Sequence, residues 1–123
     1  MKYLCLVYVD AALFGALSDG ARAALDVESA AYDEELASRG QLVVAEALQR
    51  AKHAKVLQLR QGRVSHTDGP FIETKEQLGG FILIEADDLN AAIQIASKIP
   101  LARMGSIEVR PIAKVDRMEV SAP

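Results

Sequence analysis

One cysteine and two histidines are the only thiol and imidazole ligands in these 123 residues. Cys5 stands alone in the run YLCLVYV, so no internal disulfide can form and nothing points to an oxidising compartment. It reads as a small buried hydrophobe in a strand. His53 and His66 are too scattered for a zinc-ligand spacing, and no metal or other cofactor is expected. Positive charge is also in short supply. Fourteen Lys and Arg stand against 17 Asp and Glu, a formal charge of −3. That balance argues against direct nucleic-acid binding. No apolar run approaches the ~20 residues that span a bilayer. The start MKYLCLVYVDAALF imitates a secretion signal only until Asp10 interrupts it. No membrane association is expected, and a cytoplasmic location is.

The remaining composition is that of one globular domain, half hydrophobic and a quarter charged. A single domain over residues 1–123 should bury roughly 65–70% of its unfolded surface. Tyr3 to Val9 form a continuous apolar run, expected as a strand buried on both faces. Ser18 offers an N-cap with Asp19 behind it, and a helix follows with Leu25, Tyr32 and Leu36 on its inward stripe. Ser29 shares that stripe, while Glu28, Asp33 and Glu34 are placed outward or on the flank. Gly40 ends the helix in a left-handed cap.

LVVAEAL (residues 42–48) alternates as a second strand, with Leu42, Val44, Glu46 and Leu48 on one face. KVLQLR and RVSHT flank Gln61-Gly62, which signals a hairpin. Next comes a polar stretch, TDGPFIETKEQLGG, longer than most connections in compact domains. FILIE follows as a strand, then a helix capped by Asp87 or Asp88, with Leu89, Ala92, Ile93, Ala96 and Ile99 inward and Pro100 as its stop. SIEVRPI (106–112) is the last strand, and residues 113–123 read as a weak C-terminal extension. Two βαβ units in succession predict an α+β, ferredoxin-like βαββαβ domain with an extra hairpin strand: an antiparallel sheet with helices on one face. The opposite sheet face is apolar, with Val44 and Leu57 as candidate contacts, so a homodimer is expected.

The string DGPFIETKEQLGGFILIEADDLNAAIQIASKIP, with GSIEVRP after it, resembles the DGPF branch of the YCII-related proteins. These are small bacterial domains of the dimeric α/β-barrel superfamily, and the resemblance runs through nearly the whole chain. It implies a ferredoxin-like dimer and an association with sigma-factor-related transcription proteins. The wider family carries a histidine on the first helix and an aspartate near the end of the second, proposed as an enzymatic pair. The matching positions here hold Ser29 and Ile99, so that chemistry does not transfer. The resemblance retains a cleft between the first helix, the sheet and the DGPF loop.

Candidate site residues follow from chemistry. Asp68 begins a turn with Gly69 and Pro70, and its carboxylate is also a candidate for ligand contact or catalysis. Glu46, on an apolar strand face, either carries a perturbed carboxyl or pairs with Arg110 of the last strand. Tyr8 is a candidate hydroxyl donor to the same cleft, and Ser29 a candidate on the helix side. His66 precedes Asp68 by two residues, so in an extended segment both face one way and Asp68 would orient the imidazole as a base. The loop from Asp68 to Gly80 is expected to edge the cleft, with Phe71, Ile72 and Leu78 docked on the core. Three functions remain open: a module binding or sensing a small polar metabolite and linked to transcription, a small-molecule enzyme using acidic cleft residues, or a structural interaction domain.

Overall fold

The computed structural model describes residues 1–114; most of the expected extension at 113–123 lies outside them. The strands are β1 (Lys2–Asp10), β2 (Leu42–Ala47), β3 (Lys55–Arg60), β4 (Arg63–Asp68), β5 (Glu76–Glu85) and β6 (Gly105–Pro111). The helices are α1 (Ala11–Gly15), α2 (Asp19–Ser38) and α3 (Leu89–Ser97). Four strands form one sheet in the order β2-β5-β1-β6, every neighbour antiparallel. With α2 and α3 crossing over, this is the ferredoxin-like order. The central strand β1 shows why one face holds the core. Tyr3, Cys5 and Val7 are buried with Ile82 and Ile84 of β5, Leu36 of α2 and Ala92, Ile95 and Ala96 of α3. Leu4, Leu6 and Tyr8 point the other way and are only half-buried. No helix among the described residues is long and apolar enough to cross a membrane.

Local chemistry sets the helix ends. Ser18 Oγ accepts from the Ala21 amide at 3.1 Å, and Asp88 accepts from the Ala91 amide at 2.8 Å; each fills one orphan donor of a first turn. Gly40 takes φ 69°, and the Gln41 amide closes back on the Leu36 carbonyl at 2.9 Å, as a left-handed helix end requires. Tyr32 donates its hydroxyl to the Ile95 carbonyl at 2.6 Å, tying α2 to α3.

The structure departs from the sequence expectation in five places. Asp10 does more than interrupt a run: its carboxylate accepts from the Ala12 and Leu13 amides at 3.0 and 3.2 Å and caps α1. In α3 the buried arc runs through Ala92, Ile95 and Ala96, with Ile99 buried just past its end, whereas Leu89 and Ile93 are exposed. Ile93 lies roughly 100° around the helix from Ala92, near the middle of that arc, because successive residues turn by about 100°. The helix ends at Ser97, so Pro100 opens the 3-10 turn Pro100–Met104 instead of stopping it. In β2 a bulge between Leu42 and Val44 shifts the alternation. Leu42 and Ala45 pack on the core, while Val44 and Glu46 are exposed. Finally, β3 and β4 form a two-stranded sheet of their own. Their turn takes φ 51° at Gln61 and 74° at Gly62, the positive pair that a tight hairpin needs.

Close backbone approach explains a further glycine. A methyl group on Gly105 would overlap the Tyr8 carbonyl, which is fixed in β1. Gly105→Ala should therefore lower stability by about 1–3 kcal/mol or more, because neither strand can give way. Chemical denaturation measures it, and an unchanged midpoint would show that the β1–β6 pairing is looser than described.

Candidate functional site

Between α2, the sheet and the turn Pro100–Met104 lies a cavity of about 140 Å³. Val7, Ala45 and Ile82 form its sheet side, and Ile99, Pro100 and Leu101 close another wall. Helix α2 contributes Ser29, Tyr32 and Asp33. Glu46, exposed on the edge strand β2, stands at the rim with Ala47 and Phe81. Gly80 makes this corner possible. A Cβ there would lie 2.7 Å from the Glu46 carbonyl oxygen, so only glycine lets β2 and β5 approach so closely.

The polar part of this cavity is small. Ser29 and Asp33 stand four residues apart, so both side chains leave the same face of α2. Burial among apolar walls pushes the Asp33 carboxyl above its usual range. Among the described residues no hydrogen bond or ion pair engages it, and no Lys, Arg or His lines the cavity. Burial, with Glu35 nearby, also raises the Tyr32 phenol. Its proton is already committed to Ile95, so its ring serves as wall.

Of the residues expected at the site, Ser29 and Glu46 line the cavity. The others do not join them. Arg110 sits on β6 and Glu46 on β2, at opposite edges of the sheet, roughly 14 Å apart across three strand spacings. The expected Glu46–Arg110 pair is thus not formed; Arg110 instead neighbours Glu108 at 3.7 Å. Tyr8 pairs in register with Leu78 and Ser106 on the open sheet face, away from the cavity. Asp68 ends β4 on the separate hairpin, where Lys55 hydrogen-bonds it and holds its carboxyl below the usual range. His66 lies opposite Leu57 on that hairpin, exposed. With the Asp68 carboxylate held by Lys55, the expected orientation of His66 by Asp68 is not seen. Asp68→Asn should leave both the melting temperature and any binding in the cavity nearly unchanged. A large loss of binding would restore Asp68 to the site.

The polar stretch itself is shorter than expected, because β5 begins at Glu76 and leaves only residues 69–75 as loop. The Gln77 side-chain amide donates to the Ile72 and Thr74 carbonyls at 3.0 and 2.9 Å, giving the loop internal order. Lys75 reaches Asp10 at 3.5 Å. Asp10 is buried, and its carboxyl is held low first by the Leu13 amide, with Ala12 and Lys75 adding to the effect. Phe71 and Ile72, expected to dock on the core, are 70% and 61% exposed. The loop is therefore anchored by polar contacts and not by apolar docking.

Asp33 is the site residue that sequence reading missed. The signal was there: with Ser29 inward, Asp33 at the next turn of the same face had to share its direction.

The sheet order, the helices on one face and the cavity between them define a ferredoxin-like α+β protein. The chain belongs to the YCII-related domain family, whose match spans residues 1–116. It is 34% identical over 115 residues to an uncharacterized protein of Rhizobium meliloti (strain 1021), covering 92% of this chain and 93% of that one. In fold it resembles 5-chloro-2-hydroxyhydroquinone dehydrochlorinase (TftG) from Burkholderia phenoliruptrix AC1100, solved in complex with 2,5-dihydroxybenzoquinone. The TM-score is 0.54 at 15% identity, over 92% of this chain and 94% of the neighbour. At that identity the likeness concerns the fold alone.

Proposed function

We propose that this protein binds a small molecule in the cavity between α2 and the sheet, with Ser29 and Asp33 as its polar contacts. The observation that carries this reading is Asp33 itself, an uncompensated carboxyl held against apolar walls. Such an arrangement costs stability, and costs of this kind concentrate where a site needs them. A sensing or accessory module for transcription would use the same cavity to detect its metabolite; the transcription partner itself rests on the family resemblance. Filling the cavity tests the reading. Ser29→Leu puts a good helix former on α2 and directs its side chain inward. The variant should melt at or above the wild-type temperature and lose every ligand-induced shift. Ligand shifts that survive the filling would place binding elsewhere.

A catalytic reading is favoured by the same residue. A carboxyl that burial holds protonated to higher pH than an exposed one is suited to donate that proton to a carbonyl oxygen and take it back. The fold neighbour is a 5-chloro-2-hydroxyhydroquinone dehydrochlorinase. Proton transfer at a small oxygenated substrate is the corresponding reaction class here, with Asp33 in the place of acid or base.

The protein is also proposed to work as a homodimer through the open face of the sheet. Leu4, Leu6, Tyr8, Phe81 and Leu83 lie there half-buried, with Val44 and Leu78 exposed beside them. Uncovered apolar surface of this extent is typical of an association site.

A further inference from the structure

We propose that the cavity takes a neutral, oxygen-bearing molecule about the size of one six-membered ring, and turns away carboxylates. This inference rests on reading the cavity as a ligand site, and it concerns size and charge. The size follows from the volume of about 140 Å³; an apolar protein cavity of about 150 Å³ accommodates benzene. Carbon walls from Val7, Ala45, Ile82, Ile99, Pro100 and Leu101 suit the flat faces of a ring.

The charge preference follows from what surrounds that space. The titratable groups lining it are Tyr32 and Asp33 of α2 and Glu46 of β2; β1, β5 and the turn Pro100–Met104 contribute none to the lining. Arg103, the basic residue of that turn, is held by Glu28 of α2. An entering carboxylate would leave water to meet apolar walls and the Asp33 carboxyl, with no cation lining the space. A ketone or phenol oxygen needs only a donor or an acceptor. The Ser29 hydroxyl supplies either, and the protonated Asp33 carboxyl supplies a donor. Because burial favours that protonated form, the donor persists to higher pH than on an exposed aspartate. Binding of a pure acceptor should therefore weaken as pH rises through the Asp33 pKa.

Titration calorimetry or ligand-observed NMR with cyclohexanone, phenol and benzoate tests this at about pH 5 and about pH 8. Wild type should bind cyclohexanone and phenol, and bind benzoate at least about 10-fold more weakly, a gap of roughly 1.4 kcal/mol. Cyclohexanone should bind more tightly at the lower pH. Asp33→Asn, which keeps the shape and removes the charge, should abolish that pH dependence and narrow the gap for benzoate. If benzoate binds as well as the neutral rings and Ser29→Leu abolishes all three, the cavity is a ligand site and the charge inference is overturned. If none of the three binds at either pH, the reading of the cavity as a site for such molecules falls, and this inference with it.

Discussion

Asp33→Asn is expected to make the protein more stable at neutral pH while depriving it of its proton-exchanging group. The free carboxylate of an unfolded chain titrates near 3.9, and burial raises the Asp33 value above that in the folded state. The sign follows from linkage. Below the unfolded pKa both states are protonated, and Asp33 contributes its full stability. As pH rises, the unfolded chain ionises first, and that contribution is lost as pH passes through the folded pKa. An asparagine does not ionise, so the variant should gain on the wild type across that window and then hold a constant lead. Asp33 is only half-buried, so solvent screening keeps the gain small, about 1–3 °C in melting temperature. Asp10 and Asp68, whose carboxyls are held low, lose their contribution as pH falls, in a lower window. A melting-temperature difference against pH between wild type and variant therefore isolates Asp33. In the catalytic reading the effect on turnover is far larger, a loss of about 10²–10⁴ once a substrate is in hand. A variant no more stable than wild type at neutral pH would mean that Asp33 is solvated, and the electrostatic argument for the cavity would fail.

How much of this was legible in the sequence depends on whether a residue's position is set locally. The cap at Ser18, the left-handed Gly40 and the Gln61-Gly62 turn are decided within a few residues, and the sequence showed each; for α3 it narrowed the cap to Asp87 or Asp88. The β1 alternation was partly legible, because a central strand buries both faces and only the structure says which side the helices cover. The bulge in β2 was not legible. It depends on how β5 pairs across it, and a shift of one residue exchanges the two faces. That shift is why Leu42 shares the core side with Ala45 while Val44 and Glu46 face outward. The site suffered most from this kind of non-local dependence. Grouping Asp68 with Glu46 and Arg110 requires its turn to lie beside the strands that carry them. The hairpin forms a separate sheet instead, and Lys55, a neighbour across that hairpin, takes the Asp68 carboxylate. Asp33 required only helical geometry, since it follows Ser29 by about one turn on the same face of α2.

Leu6→Asp is expected to dissociate the proposed homodimer while leaving the protomer folded. Leu6 sits on the central strand β1, beside Phe81 in register and on the face opposite the helices. In an isolated protomer an aspartate there faces water, with modest cost. In a sheet-to-sheet dimer it enters a dry interface without a cation, and two-fold symmetry places a second copy in the same interface. An unpaired charge buried in this way costs about 3–5 kcal/mol, and at 1.4 kcal/mol per decade the dissociation constant should rise at least about 100-fold. Area shows which other residues must take part. The open face spans roughly 400 Å², from four strand widths and six residues of length, about half of the 800 Å² per partner that a stable interface buries. The missing area is at hand in the β3–β4 hairpin and its loop, where Leu57, Leu59, Val64, Phe71 and Ile72 are 58–70% exposed. A two-stranded hairpin is only marginally stable alone, so these side chains gain by covering a second copy. Leu57→Asp should consequently weaken the dimer too, by less than Leu6→Asp because its edge of the interface stays wetter. Sedimentation at several concentrations would read both effects, and wild-type melting should rise with concentration while that of Leu6→Asp does not. A wild type that sediments as a monomer at every concentration, with Leu6→Asp indistinguishable from it, would mean that this face meets solvent.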